Sequence, residues 1–458
     1  MIIQTETQTK NPKLNIPQVA DLFSGCGGLS YGFYMKGFNA FSGVELNQQA
    51  CSTISYNLHW RNGDNKEHLN KDITDVTVED LGLYKDKTVI TIGGPPCQAY
   101  SRIGKSKLKS LGEDRYGLND KRAFLYKEFI RLALAADSQA IVMENVPESV
   151  NFLGINIPQT VCNILEANGY NAIWTILNSA DFGVPQTRER IFVMAVKKEV
   201  GVIDHLPTPT HKSPGKMKEY KEKYQKFTRQ KSFRIPVFPN SNLPLWVSVR
   251  EAISDLPVLF PNALDPYKAN KMSTKMPYQS PPLNDYQKIM RSKYNITYTQ
   301  NIDGNSFRKT SRDFRIFEKM QPGDDYRRAH EIAVKLFEEA RLFHNISIND
   351  KQAYQKMRKE YVPPYDTTKF FSKWKKLNPD KPSHTLVAHL GTDTYSHIHP
   401  WEPRGISVRE AARLQSFPDE FTFNVPMGAA FSQIGNAVPP LLAQGVAEAI
   451  LRNLNITI

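Results

Sequence analysis

The chain has 458 residues, 40% of them hydrophobic, and its 59 Lys and Arg exceed its 46 Asp and Glu to leave a net charge of +13. That composition excludes disordered and membrane-embedded classes: no stretch approaches the ~18 consecutive apolar residues of a spanning helix, and the polar segment Met1 to Lys10 has no apolar signal core, so a cytoplasmic location is expected. The basic excess fits a polyanionic partner, and it fits plain solubility equally well.

The first two hundred residues alternate short apolar runs with helical patterns. Val19 to Phe23, Phe41 to Val44, Val89 to Ile92, Ile141 to Met143 and Ile191 to Val196 read as buried strands. Arg122 to Ala135 and Thr160 to Ala167 have apolar residues at helical spacing. This rhythm predicts an α/β fold: a largely parallel sheet with helices on both faces and ligands beyond the carboxyl ends of the strands.

After the first strand comes Asp21-Leu-Phe-Ser-Gly-Cys-Gly-Gly28, where glycines permit close backbone approach to a ligand or simply a tight turn. Glu45 ends the next strand about 20 residues on, the spacing of an acid that takes ribose hydroxyls. The loop lacks the G-x-G-x-x-G spacing, so dinucleotide binding is a poor fit. Gly93-Gly-Pro-Pro-Cys-Gln98 follows the third strand, and its prolines end the strand where ligands bind. Cys97 there is either a nucleophile, its thiolate favoured by nearby cations, or an inert thiol. Glu144-Asn-Val146 closes another strand; a partly buried acid there could donate a proton, or merely cap a helix. Arg188 and Arg190, two apart in Gln186-Thr-Arg-Glu-Arg190, would point to the same side of an extended segment, as a substrate clamp or as a surface ion-pair ladder.

The texture changes near Gly201, where prolines accumulate and long apolar runs thin out. His211 to Arg234 is dense in Lys and Arg with interleaved Tyr and Phe, readable as a phosphate-contacting surface or as a solvated face. Ser248-Val-Arg-Glu-Ala and Ser407-Val-Arg-Glu-Ala both fit the S-x-x-E capping box that starts a helix. His397-Ile-His399 could suggest a metal, but no Cys or acid cluster accompanies it, and no metal is expected. Cys26, Cys51, Cys97 and Cys162 form no C-x-x-C pair, so reduced thiols are expected. Pro440 to Leu454 has helical spacing and is expected to pack on the main body.

Together, in order, DLFSGCGG, Glu45, Asp72 in Lys-Asp-Ile-Thr, GGPPCQ, ENV, QTRER, Arg409-Glu-Ala-Ala-Arg-Leu-Gln415 and Gln433-Ile-Gly-Asn-Ala-Val-Pro-Pro440 resemble the DNA (cytosine-5) methyltransferase family over residues 19 to 452. The resemblance implies a Rossmann-like, S-adenosylmethionine-dependent sheet domain over 16–200, completed by 435–458. It implies a smaller, irregular target-recognition domain over 201–434. Cys97 would add to C6 of a flipped-out cytosine, Glu144 would protonate N3, and Arg190 with support from Arg188 would clamp the base. Phe23, Gly25, Gly28, Glu45, Asp72, Leu125 and Asn436 would bind S-adenosylmethionine. Cys26, in a position that many relatives fill with an aliphatic residue, reads as packing. Gln98 to Lys121 would be a loop closing over double-stranded DNA, with Arg102, Lys105, Lys107 and Lys109 suited to phosphates. The bare arrangement resembles a monomeric prokaryotic modification enzyme, paired with a restriction nuclease or another defence system. A transfer-RNA cytosine methyltransferase or a catalytically silent DNA-binding relative would share the core, but the latter usually loses the nucleophile or its acid.

Overall fold

The structure is a computed structural model that describes residues 16–83, 87–96, 121–215, 222–259, 275–291, 301–310, 312–368 and 373–457. Cys97 and the loop cations Arg102, Lys105, Lys107 and Lys109 lie outside the described residues.

A six-stranded sheet organises the first two hundred residues. Its strands are β1 (Gln18–Leu22), β2 (Phe41–Val44), β3 (Val89–Gly93), β4 (Ala140–Asn145), β5 (Tyr170–Asn178) and β7 (Glu189–Lys197), in the spatial order β2-β1-β3-β4-β7-β5; the two-residue β6 (Gln186–Thr187) lies outside it. The pairs β1–β2, β1–β3 and β3–β4 are parallel, whereas β7 runs antiparallel to both β4 and β5. The expected strands are all present, but the last one is inverted. The sequence pattern had not pointed to β5, although its run Ile173, Trp174, Ile176, Leu177 between asparagines is a strand signal.

Alternation along the strands separates two cores. Val142, Phe192, Met194 and Val196 face one side, which is covered by α1 (Gly28–Met35), α2 (Gln48–Leu58) and a late helix. Ile141, Met143, Ile191, Val193 and Ala195 face the other, covered by α3 (Tyr126–Ala135) and α4 (Ile157–Ala167). This period-2 division places helices on both faces, as a buried sheet demands.

The remaining elements are short strands β8 (Met276–Pro277), β9 (Asn301–Ile302) and β10 (Ser383–His384), and helices α5 (Val249–Ile253), α6 (Asp285–Arg291), α7 (Phe314–Lys319), α8 (Tyr326–Phe343), α9 (Lys351–Tyr361), α10 (Val408–Leu414), α11 (Met427–Asn436) and α12 (Pro440–Asn453). Both SVREA segments form complete capping boxes, at Ser248 and Ser407. The helices they start meet: Arg413 of α10 donates to Ala252 O of α5 at 2.9 Å and grips Asp419 at 2.5 and 2.6 Å. Asp255 takes the same guanidinium at 3.3 and 3.2 Å and also pairs with the buried Arg291, so two buried acids face two buried cations. Helices α7 to α9 carry their own core, in which Phe317 and Tyr326 pack against the buried Trp374. α12 lies on α1 in the core of the first sheet face, as expected for the tail. Among the described residues, no helix is long and apolar enough to cross a membrane.

Candidate active site

The carboxyl ends of β1 to β4 open into a cleft of about 2370 Å³, lined by Phe23, Gly25, Gly28, Glu45, Asp72, Leu125 and Asn436 on one side and by Pro96, Glu144, Arg188 and Arg190 on the other. The first wall is built from the turn after β1. Phe23 has φ 63°, Gly25 φ 55° and Gly27 φ 94°, left-handed conformations that reverse the chain within a few residues. Glu45 fastens this turn: its carboxylate accepts the Gly25 N–H at 2.8 Å and the Asn47 N–H at 2.7 Å. Burial pushes the Glu45 carboxyl above its usual range, and the backbone donors pull it back. Asp72 is exposed and caps a turn, accepting from Thr74 N at 3.0 Å and Thr74 Oγ1 at 2.9 Å.

The two glycines assigned to the cofactor differ. A Cβ at Gly25 would meet nothing within 4 Å, so this residue leaves room in the cleft. A Cβ at Gly28 would run into the Val438 carbonyl oxygen, so Gly28 also serves helix packing. Beneath the turn, buried Asp21 accepts from Ser30 Oγ at 2.5 Å, and burial pushes its carboxyl up to about 7. Cys26 is buried, its thiol pushed up to about 12 by desolvation. It packs in the core.

The second wall begins where β4 ends. Asn145 Nδ2 donates to Pro95 O at 3.2 Å, holding the GGPP segment against the strand end. Glu144 Oε1 pairs with Arg190 Nε at 2.8 Å, both side chains 13% exposed. Burial raises the Glu144 carboxyl's pKa; Arg190 first, then Arg188, oppose this. The acid thus sits where desolvation favours its proton and a cation favours its loss.

The two arginines do different jobs. Arg190 faces Glu144 in the cleft, whereas the guanidinium of Arg188 is buried and donates to Leu386 O at 2.7 Å and Gly435 O at 3.1 Å. Arg188 is therefore a positioning residue that ties three segments together behind the pocket. Two glutamines that the motif pattern alone did not single out extend this tie. Gln186 Nε2 donates to Gln415 Oε1 at 2.5 Å, Gln186 Oε1 accepts from Leu386 N at 2.9 Å, and Gln415 Nε2 donates to Ala437 O at 2.6 Å. Both residues open or close quoted motifs, but their partners are not readable from spacing.

The histidine run contributes elsewhere. His399, Glu402 and Glu410 bring ligand-type atoms within 4.8 Å of one another. Arg404 occupies both acids, donating to Glu402 at 2.8 Å and Glu410 at 2.7 Å, and burial holds His399 down to about 4. This cluster is a buried, hydrogen-bonded brace in which one guanidinium bridges two acids under the Ser407 capping box.

The fold is a Rossmann-like α/β fold: an E. coli prophage protein described as a DNA modification methyltransferase superposes with a TM-score of 0.62 over 96% of this chain and 99% of its own, at 23% identity. The chain belongs to the C-5 cytosine-specific DNA methylase family, whose profile matches residues 18–452. It is 53% identical over 445 residues to an Oceanobacillus iheyensis protein carrying the type II methyltransferase name M.OihORF3336P, covering 96% of each chain. It is 29% identical to the type II methyltransferase M.DdeI of Desulfomicrobium norvegicum, covering 96% of this chain and 90% of the relative. It is likewise 29% identical to M.AgeI of Thalassovita gelatinovora, covering 94% and 98%. The protein is accordingly a DNA (cytosine-5) methyltransferase.

Proposed function

We propose that the protein methylates C5 of a cytosine flipped out of a specific double-stranded DNA sequence, through a covalent bond between Cys97 and C6. The observation that carries this reading is the Glu144–Arg190 pair in the same cleft as Pro96, the residue before Cys97. The opposite wall suits S-adenosylmethionine: Gly25 leaves open space, Glu45 and Asp72 offer acceptors, and Phe23 and Leu125 supply apolar surface. When bound, that cofactor supplies an electrophilic methyl group.

The residues divide the work. The Cys97 thiolate adds to C6, and the displaced electron pair is drawn toward N3. Glu144 donates its proton to N3, neutralising the charge as it develops. Arg190 holds Glu144 and faces the base carbonyl, while Arg188, Gln186 and Gln415 fix the wall behind it. C5, now nucleophilic, would take the methyl group supplied by a bound S-adenosylmethionine, which leaves as S-adenosylhomocysteine. A water-borne base takes the C5 proton as the C6–S bond breaks to release the Cys97 thiolate, and N3 returns its proton to Glu144, restoring the aromatic ring. Flipping costs roughly a few kcal/mol of stacking and pairing. In this reading residues 16–200 with 435–458 form the catalytic domain and 201–434 the target-recognition domain. The enzyme acts as a monomer in the cytoplasm, without a metal. The type II names of its relatives support a role in a restriction-modification system.

Bisulfite sequencing of DNA from cells expressing the protein tests activity and target together. New 5-methylcytosine at one short sequence is expected. Methyl incorporation into transfer RNA and none into duplex DNA would favour the RNA enzyme instead. Cys97→Ala is expected to abolish turnover while DNA binding persists.

A further inference from the structure

The basic segment after β7 has a defined place. Residues 222–234 return to β5, the edge strand of the sheet, and pair with it: Trp174 N donates to Ser232 O and Arg234 N to Trp174 O, both at 2.9 Å. The aromatic residues of this strap point inward. Phe233 lies 4.7 Å and Phe227 5.8 Å from Trp174 between ring centroids, and Tyr224 is buried. Gln159 Oε1 accepts from both Trp174 Nε1 at 3.2 Å and Ser232 N at 3.1 Å, which seals the strap to α4.

The rings are therefore unavailable for stacking on bases, and the cations are what the strap shows to solvent. Lys223, Lys226 and Arg229 recur at three-residue spacing, all exposed. Lys223 lines the cleft and pairs with Glu189, the neighbour of Arg190. Lys231 pairs with Glu166 at 2.6 Å. Among the described residues, no ion pair is formed by Lys226 or Arg229. Lys226 lies over the Phe227 ring, 4.9 Å from its centroid, which holds it on the surface without a counter-charge. Cations without an acid on a ring-anchored strap leading out of the cleft match phosphates rather than base edges.

We infer that this strap is a second, sequence-independent contact surface for the DNA backbone flanking the target site, with Lys226 and Arg229 as its phosphate contacts. The inference rests on the DNA reading given above. The test is the binding of a short fluorescent duplex of mixed sequence, measured over a range of salt concentrations. In the double variant Lys226→Gln/Arg229→Gln, the slope of log affinity against log salt should become shallower by about 0.9 for each phosphate no longer neutralised, about 1.8 for the pair. The loss should fall on the KM for DNA more than on kcat. The charge-preserving pair Lys226→Arg/Arg229→Lys should keep the parent slope, as should Arg452→Gln on α12, which removes a cation elsewhere. A double variant with the parent slope, in a protein that still methylates duplex DNA, overturns the strap. A parent that neither binds nor methylates duplex DNA overturns the DNA reading and the strap with it.

Discussion

On the wall that carries Glu45, the decisive contact spans 20 residues, from Gly25 N to the Glu45 carboxylate. On the wall that carries Glu144 and Arg190, the supporting guanidinium of Arg188 reaches 198 residues to Leu386 and 247 residues to Gly435. The turn in the first wall is a local device of backbone donors and one acid, made within two strands, and the tail then closes over it at Asn436 and Val438. The second is held from behind by segments that the chain supplies much later. The difference teaches that the Glu45 turn can form without residues 201–434, whereas the setting of Arg188 depends on Leu386 within them and Gly435 just after.

The largest effect should come from the chemistry of the second wall. Glu144→Gln preserves shape and removes the proton, so turnover should fall on the order of 10²–10⁴-fold with DNA binding retained, read by methyl transfer from labelled cofactor. Because burial raises the pKa of Glu144, the step that needs its proton should weaken as pH rises through that raised value.

Next comes the remote support. Gln415→Leu leaves the Ala437 carbonyl without this donor and takes one of two acceptors from Gln186 Nε2, which keeps Leu414 O at 3.1 Å, at about 1–3 kcal/mol for a buried polar group left unpaired. A lower melting temperature and lower kcat are expected, with less change in the KM for S-adenosylmethionine. If the two glutamines act as one relay, Gln186→Leu/Gln415→Leu should do little more damage than either single change. Strict additivity in a double-mutant cycle would break the contrast between the walls.

Glu45→Ala removes the acceptor from Gly25 and Asn47 and should act mainly on the KM for S-adenosylmethionine, raising it about tenfold or more, equivalent to ~1.4 kcal/mol, with kcat changed less. An equal loss of kcat would show that this wall also supports the chemistry.

The smallest effect concerns Asp21. Its folded pKa, about 7, lies above the ordinary 3.8, so its contribution to stability is complete below about 3.8 and is lost as pH rises through about 7. Asp21→Asn should flatten the fall in melting temperature across that window; an unchanged profile would refute the assignment.

The same contrast explains what the sequence could disclose. β1 to β4, the glycine turn, Glu45 and both capping boxes were legible because each rests on neighbours within a strand or a helical turn. The inverted direction of β7 was not, since an apolar run carries no orientation. The separate fates of Arg188 and Arg190 were hidden too: alternation gives the side a residue faces in a strand, but Arg188 stands just before β7, and its carbonyl partners lie 198 and 247 residues further along the chain. The segment His211 to Arg234 read as a phosphate-contacting surface or a solvated face, and neither reading gave its aromatic residues a place; Trp174, on the strand that the sequence pattern did not reveal, shows Phe227 and Phe233 to be anchors.

Gly28 and Gly32 leave α1 smooth where α12 and the residues before it press against it, and Cys26 donates across 407 residues to the Gln433 carbonyl at 3.6 Å. On the ribosome this has a temporal consequence. The turn that opens the cleft emerges almost first, yet the surface that completes it is synthesised nearly last. The apolar face of α1 must wait, uncovered or shielded by other factors, while the intervening chain is made. The turn that opens the cleft is therefore covered only after almost the whole chain has been made, so a chain cut short before residue 433 would leave it open.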